Sequence, residues 1–150
     1  MEILKAEEKD LPVILALQKL AYQSEAELVE DYSIKPLHQT LDGMKDDFNN
    51  GAILKAVENG KIIGSVRLRS AESTVYVGKL IVDPERQNCG IGTALLLAAE
   101  AIYPNERLEL FTSERSAKNL HLYSKIGYTE FKREPLNGNV DFIYLEKFAT

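Results

Sequence analysis

The chain has 150 residues, 45% of them hydrophobic, a formal net charge of −5 and one cysteine, a size that fits one domain over residues 1–150 and buries about two-thirds of its unfolded surface without metal or disulfide support. The acidic balance excludes a nucleic-acid backbone as the main partner, since that requires a basic surface, and no apolar run approaches the roughly 18 to 20 residues of a membrane span. Cys89 has no internal partner for a bridge, and Met1-Glu2-Ile3-Leu4-Lys5 lacks the charged start and apolar core of a signal peptide, so a cytoplasmic setting is expected.

Glu2 to Ala6 reads as a short first strand. Asp10 then caps a helix carrying Leu11, Ile14, Leu15 and Leu17, with Pro12 tolerated in its first turn. A second helix follows Pro36, where Leu37, Leu41, Met44 and Phe48 recur at intervals of four, three and four. Between them Ser24 to Lys35, with Glu25, Glu27, Glu30 and Asp31, carries no clear secondary-structure signal. Ala52 to Arg69 is a hairpin, because Asn59-Gly60 supplies the two positive φ angles of a type I′ turn. In its second arm Val66 and Leu68 alternate with Arg67 and Arg69, which predicts one buried face and one wet face.

Thr74 to Val82 is the next strand, rich in β-branched and aromatic residues. The helix after it places Ile91, Leu95, Ala98, Ala99 and Ile102 on one face and stops at Pro104. Arg107 to Thr112 is a strand, and Ser116 to Ile126 a helix closed by Gly127 in the left-handed region. Tyr128 to Glu134 and Val140 to Phe148 finish as strands around a turn of Pro135, Asn137 and Gly138.

The segment from Leu80 to Thr93 carries the chemistry. An apolar strand enters a glycine-containing loop that opens into a helix, whose first-turn N–H groups have no intrahelical partners and attract anions. Glycines at 90 and 92 remove the Cβ atoms that would hold a phosphate away. A nucleoside-triphosphate loop is excluded, because Gly92 is followed by Thr93 and Ala94 rather than Lys and Ser/Thr, and the dinucleotide fingerprint lacks its third glycine. Gln87-x-x-Gly90-x-Gly92, preceded by Leu80-x-Val82-x-Pro84, resembles the acyl-CoA-binding motif of the GNAT superfamily of N-acetyltransferases. Downstream, Leu122-Tyr123-Ser124-Lys125-Ile126-Gly127-Tyr128 resembles that family's L-Y-x-K-x-G-F/Y element.

The resemblance implies an α/β (α+β) fold: a mixed, mostly antiparallel sheet of six or seven strands flanked by about four helices, two on each side. It implies acetyl-CoA as co-substrate, no metal, and direct attack of an amine on the thioester. Main-chain donors of Leu80, Ile81 and Val82 would hold the acyl carbonyl and pantetheine, with Val82 N–H polarising the thioester oxygen. The diphosphate would sit on the amides of Gln87, Asn88, Cys89, Gly90, Ile91, Gly92 and Thr93. Tyr123 matches the family's general acid, a phenol of pKa about 10 donating to a thiolate of about 8.5. The family's pantetheine-binding Asn is replaced by Ser116, with Asn119 one turn nearer Tyr123 on the same face, which leaves open which of the two makes that contact.

For the general base the sequence offers Glu72, a water ordered by Tyr76, or Glu109, without choosing among them. Cys89 has no neighbouring His to make it a nucleophile, and His38 and His121 lack metal-ligand spacing. The expected acceptor is the primary amine of a small molecule or peptide, and the acids near the first two helices read either as a solvated acidic face or as a wall that would favour a cationic acceptor such as a polyamine or basic peptide. Members of the resembled family are often dimers, and the C-terminal strand Val140 to Phe148 could serve a partner subunit as well as its own sheet. The alternative function is a non-catalytic acyl-CoA-binding module.

Overall fold

A computed structural model describes residues 1–149, so Thr150, the last residue of the expected domain, lies outside the described residues. Seven strands form one sheet: β1 (Glu2–Lys5), β2 (Ala52–Glu58), β3 (Lys61–Ala71), β4 (Thr74–Val82), β5 (Arg107–Ser113), β6 (Thr129–Pro135) and β7 (Asp141–Lys147), in the order β1-β2-β3-β4-β5-β7-β6. Every neighbouring pair is antiparallel except β4 and β5. That pair is parallel because a helix carries the chain back between them, as parallel neighbours require. The helices are α1 (Leu11–Val29), α2 (Lys35–His38), α3 (Leu41–Asn49), α4 (Ile91–Ile102) and α5 (Ala117–Ile126). None of the described helices is long and apolar enough to cross a membrane.

The sheet separates two cores. On one face Leu95, Leu96 and Ala99 of α4 and Tyr123 of α5 pack with Ile63, Val66, Val75 and Leu110. On the other, Leu11, Ile14 and Leu17 of α1 and Met44 of α3 close over Ile53 and Ile81. The turn between β2 and β3 has Asn59 at φ 53 and Gly60 at φ 77, as the Asn-Gly pair predicts.

Several local expectations fail for identifiable reasons. Asp10 does not cap α1; its carboxylate accepts from Glu7 N–H at 2.8 Å, within a capping box on the preceding 3₁₀ turn, and from Lys55 Nζ at 2.7 Å. The single helix expected after Pro36 is two, because the chain is extended at Gln39 and Thr40, and Thr40 Oγ1 then caps α3 by accepting from Gly43 N–H at 3.1 Å. In α4, Leu96 is fully buried while Ile102 is 37% exposed, so the buried stripe is centred differently from the expected one.

Arg67 is 7% exposed rather than wet. Its guanidinium donates to Gln39 Oε1 at 2.6 Å, to Asp47 Oδ2 at 2.7 Å and to Gln18 Oε1, joining β3 to α1, α3 and the α2–α3 junction. The polar face of β3 is thus covered by helices that bring polar partners of their own. The C-terminal strand β7 has β5 on one side and β6 on the other. It has no free edge for a partner subunit; the open edges belong to β1 and β6.

α1 continues through the acid-rich stretch that carries no signal in the sequence, ending at Val29 with Glu30 in the left-handed region at φ 54. Gln18, Tyr22, Glu25 and Val29 follow one another at four, three and four residues, which keeps them on one face. Three of the four are polar, so hydrophobic periodicity stops where the helix begins to line a cleft instead of a core.

Candidate active site

β4 and β5 begin as neighbours and then part. Their parallel pairing covers only Thr74, Val75 and Tyr76 opposite Arg107, Leu108 and Glu109. Beyond this β4 pairs with β3 alone and β5 with β7 alone, so the facing edges of Val77–Val82 and Leu110–Ser113 diverge into a V-shaped cleft. A β-bulge in β4 sharpens the divergence: the register with β3 shifts between Ser65 and Arg67, and Lys79 sits at φ 47. An extra residue in one strand bends and twists it locally. Asp83 N–H donates to Ile63 O at 2.8 Å across to β3, and since bonded and non-bonded pairs alternate along an antiparallel ladder, Val82 N–H faces the open edge. The same alternation turns Ile81 towards β3, and its side chain is 4% exposed in the α1 core. Of the three expected strand donors, Val82 has the clear opening, and Leu80 lies at the bulge.

The loop after β4 is exposed from Gln87 to Gly90. Asp83 accepts from Glu85 N–H at 3.0 Å to fix the turn, Asn88 takes φ 63, and Gly90 takes φ 77 immediately before α4. No side chain caps α4, and the first intrahelical donor is Ala94 N–H to Gly90 O at 3.0 Å. The amides of Ile91, Gly92 and Thr93 therefore point out of the helix end, where the dipole is positive. Lys118 Nζ, reaching over from α5, donates to Gln87 Oε1 and places a cation at the loop. The two glycines serve different ends. A Cβ at Gly90 would meet nothing within 4 Å, whereas one at Gly92 would lie 3.2 Å from Leu122 Cδ2. Gly92 thus lets α5 approach α4 in addition to baring the helix end.

Tyr123 lines the cleft, 5% exposed, its ring centroid 6.1 Å from that of Tyr128. Burial pushes its pKa well above the ordinary phenol value, and the neighbouring Tyr22, Glu25 and Tyr128 push it the same way. The phenol is thereby held protonated as a hydrogen-bond donor. Ser116 and Asn119 also line the cleft. Ser116 Oγ donates to Glu25 Oε1 at 3.1 Å, while Asn119 Nδ2 donates to Thr112 Oγ1 on β5 at 3.3 Å and lies 3.5 Å from Glu25 Oε1.

None of the three positions offered for a base is among the residues lining the cleft. Glu72 is exposed in the β3–β4 turn at φ 51, eight residues before Leu80 and so about 26 Å away at roughly 3.3 Å per strand residue. It is removed from the site. Glu109 is held by Arg107 at 2.9 Å, and Tyr76 lies under Arg69, whose guanidinium carbon is 4.5 Å from the ring centroid. Cys89 is exposed in the loop, its Sγ 3.5 Å from Gln87 O. Tyr22 and Lys118 are cleft residues that sequence reasoning missed, while Glu25 reads there only as one of several acids that would favour a cationic acceptor. The continuation of the α1 stripe through Gln18 is the signal that sets Tyr22 and Glu25 on one face.

Comparison with known proteins agrees with this geometry. The model of the acetyltransferase (GNAT) family matches residues 14–128. The ribosomal-protein-S18-alanine N-acetyltransferase from Escherichia coli superposes with a TM-score of 0.81 at 18% identity, covering 99% of this chain and 94% of that one. PaiA N-acetyltransferase from Thermoplasma acidophilum, solved in complex with coenzyme A, superposes with a TM-score of 0.80 at 22% identity, with 98% of each chain covered. A curated relative, UPF0157 protein YqkA of Bacillus subtilis, is 28% identical over 116 residues. That match takes in 77% of this chain and 33% of the relative, so the chain spans about a third of the relative's length.

Proposed function

The chain belongs to the acetyltransferase (GNAT) family, and from that premise we propose that it moves an acetyl group from acetyl-CoA to a primary amine of a small molecule or peptide by direct attack, with no covalent enzyme intermediate. The observation that carries this reading is the parting of β4 and β5, which opens a strand edge leading straight to the uncapped first turn of α4.

Within this reading the amides from Gln87 to Thr93 receive the diphosphate, with Lys118 adding positive charge beside them. The edge of β4 holds the pantetheine, and Asn119, fixed to Thr112 on β5, is the side chain placed against it. Val82 N–H polarises the thioester oxygen, an electrostatic role that gains strength from exclusion of water. Tyr123 donates to the departing sulfur. Its raised pKa means that the proton moves only as negative charge builds on sulfur, so the phenol stabilises the leaving group late in the reaction.

The test follows thiol release from acetyl-CoA across a panel of primary amines. Amine-dependent release is expected, with Tyr123→Phe lowering kcat by about 10² or more while acetyl-CoA still raises the melting temperature. A non-catalytic acyl-CoA-binding module would show the thermal shift with no release for any amine, and unchanged kcat in Tyr123→Phe would remove the acid role.

A further inference from the structure

Four acids line the arm of the cleft formed by the end of α1 and the segment after it: Glu25, Glu27, Glu30 and Asp31. Glu27 and Glu30 are exposed and Asp31 is partly exposed. Glu30 is paired with Arg115 at 3.5 Å, and Asp31 accepts from Ser33. Glu25 differs. It is half-buried and held by two neutral donors, Ser116 Oγ and Asn119 Nδ2, the first of which is itself 2% exposed.

Among the described residues no cation lies within ion-pair distance of Glu25. The Arg115 guanidinium is engaged by Leu28 O at 3.0 Å and by Glu30. Arg67, on the far side of Tyr22, is taken by Gln18, Gln39 and Asp47. The remaining groups that face Glu25 are the phenols of Tyr22 on α1 and Tyr123 on α5. A carboxylate withdrawn from water without a counter-ion is costly to keep charged, and burial raises its pKa against the opposing Ser116 hydrogen bond. An ammonium entering the cleft supplies the missing charge.

We infer that Glu25 anchors the ammonium of the acceptor amine and takes its proton, which assigns the general base that the sequence leaves open; this rests on the acetyl-transfer reading above. One N–H proton passes from the ammonium to a Glu25 carboxylate oxygen and from there to water along the exposed side of the cleft. The freed lone pair forms the C–N bond to the thioester carbon, and the C–S bond then breaks with its electron pair leaving on sulfur. Tyr123 gives its hydroxyl proton to that sulfur, and its phenolate is re-protonated by the second proton lost from nitrogen. The products are the amide, the free thiol and one proton.

The experiment compares kcat/KM against pH for wild type, Glu25→Gln and Ser116→Ala, with acetyl-CoA and the best amine of the panel. With Glu25 as base, wild type reaches a plateau once the carboxyl has ionised. Glu25→Gln can use only amine that is already neutral, so its rate is lower by about 10² at pH 7 and climbs about tenfold per pH unit towards the pKa of the amine. Ser116→Ala keeps the carboxylate but removes a bond to its charged form, so the acidic limb moves to higher pH. A retained acetyl-CoA thermal shift shows that each variant folds. If Glu25→Gln keeps the wild-type profile, or if the limb stays in place in Ser116→Ala, the inference fails alone. If wild type turns over no amine, the acetyl-transfer reading fails and takes this one with it.

Discussion

Gly90 and Gly92 stand two residues apart in one loop and meet different demands, which makes them separable by substitution. Gly90 occupies φ 77 with open space where a Cβ would go. An alanine there is strained only by its backbone, at a cost of about 1–2 kcal/mol. Urea unfolding of Gly90→Ala is expected to show that loss, and Gly90→Asn, which tolerates the left-handed region, is expected to recover much of it. A full loss in the asparagine variant would mean that the position is limited by something other than φ. At Gly92 an added methyl presses on the end of a flexible leucine, so its effect depends on how far Leu122 gives way. The sequence shows two glycines at a spacing that suits phosphate approach; that one of them also admits a neighbouring helix depends on α5, which follows twenty-odd residues later.

The element scale is governed by the polar cluster under α1 and α3. Arg67 on β3 ties Gln18, Gln39 and Asp47 together, and Lys79 from the β4 bulge approaches Asp47 at 3.6 Å. Truncating Arg67 to Ala leaves buried Gln18 and the partly exposed Gln39 and Asp47 without their shared donor, and a loss of about 1–3 kcal/mol is expected by denaturant titration. Burial pushes the Asp47 carboxyl up, but the Gln39 hydrogen bond and the charges of Lys79 and Arg67 outweigh it and leave its pKa below the ordinary value. The folded state therefore binds that proton less readily than the unfolded state. Its stabilisation is present in full above the unfolded pKa of about 3.9 and is lost as pH falls through the lower folded value. Asp47→Asn should accordingly flatten the stability curve below about pH 4, a flattening measurable by chemical denaturation at a series of acidic pH values.

Across the whole molecule the cleft is where the two cores meet. Its walls come from α1 on one face of the sheet, α4 and α5 on the other, and the parted strands between. A ligand filling it therefore couples both halves of the fold. Acetyl-CoA at a hundred times its Kd is expected to stabilise the native state by about 2.7 kcal/mol, a rise in Tm of roughly 5–10 °C for a chain of this length. Differential scanning fluorimetry over a series of acetyl-CoA concentrations measures it, and a Tm that does not move with ligand would contradict binding in the cleft.

The succession of strands along the chain, the Asn-Gly turn, the glycine loop before α4 and the Tyr123 element are all carried by local pattern. Each depends on neighbours within a few residues, and the sequence by itself determined them. The register shift in β4, the enclosure of Arg67, the paired position of β7 and the meeting of Glu25 with Ser116 were decided only by the tertiary structure. Those contacts join residues up to 91 positions apart, and a side chain such as Glu25 reads as a solvated charge until the helix that carries it is laid against its distant partners. Burial and electrostatic environment belong to that assembly, and so does the chemistry they allow.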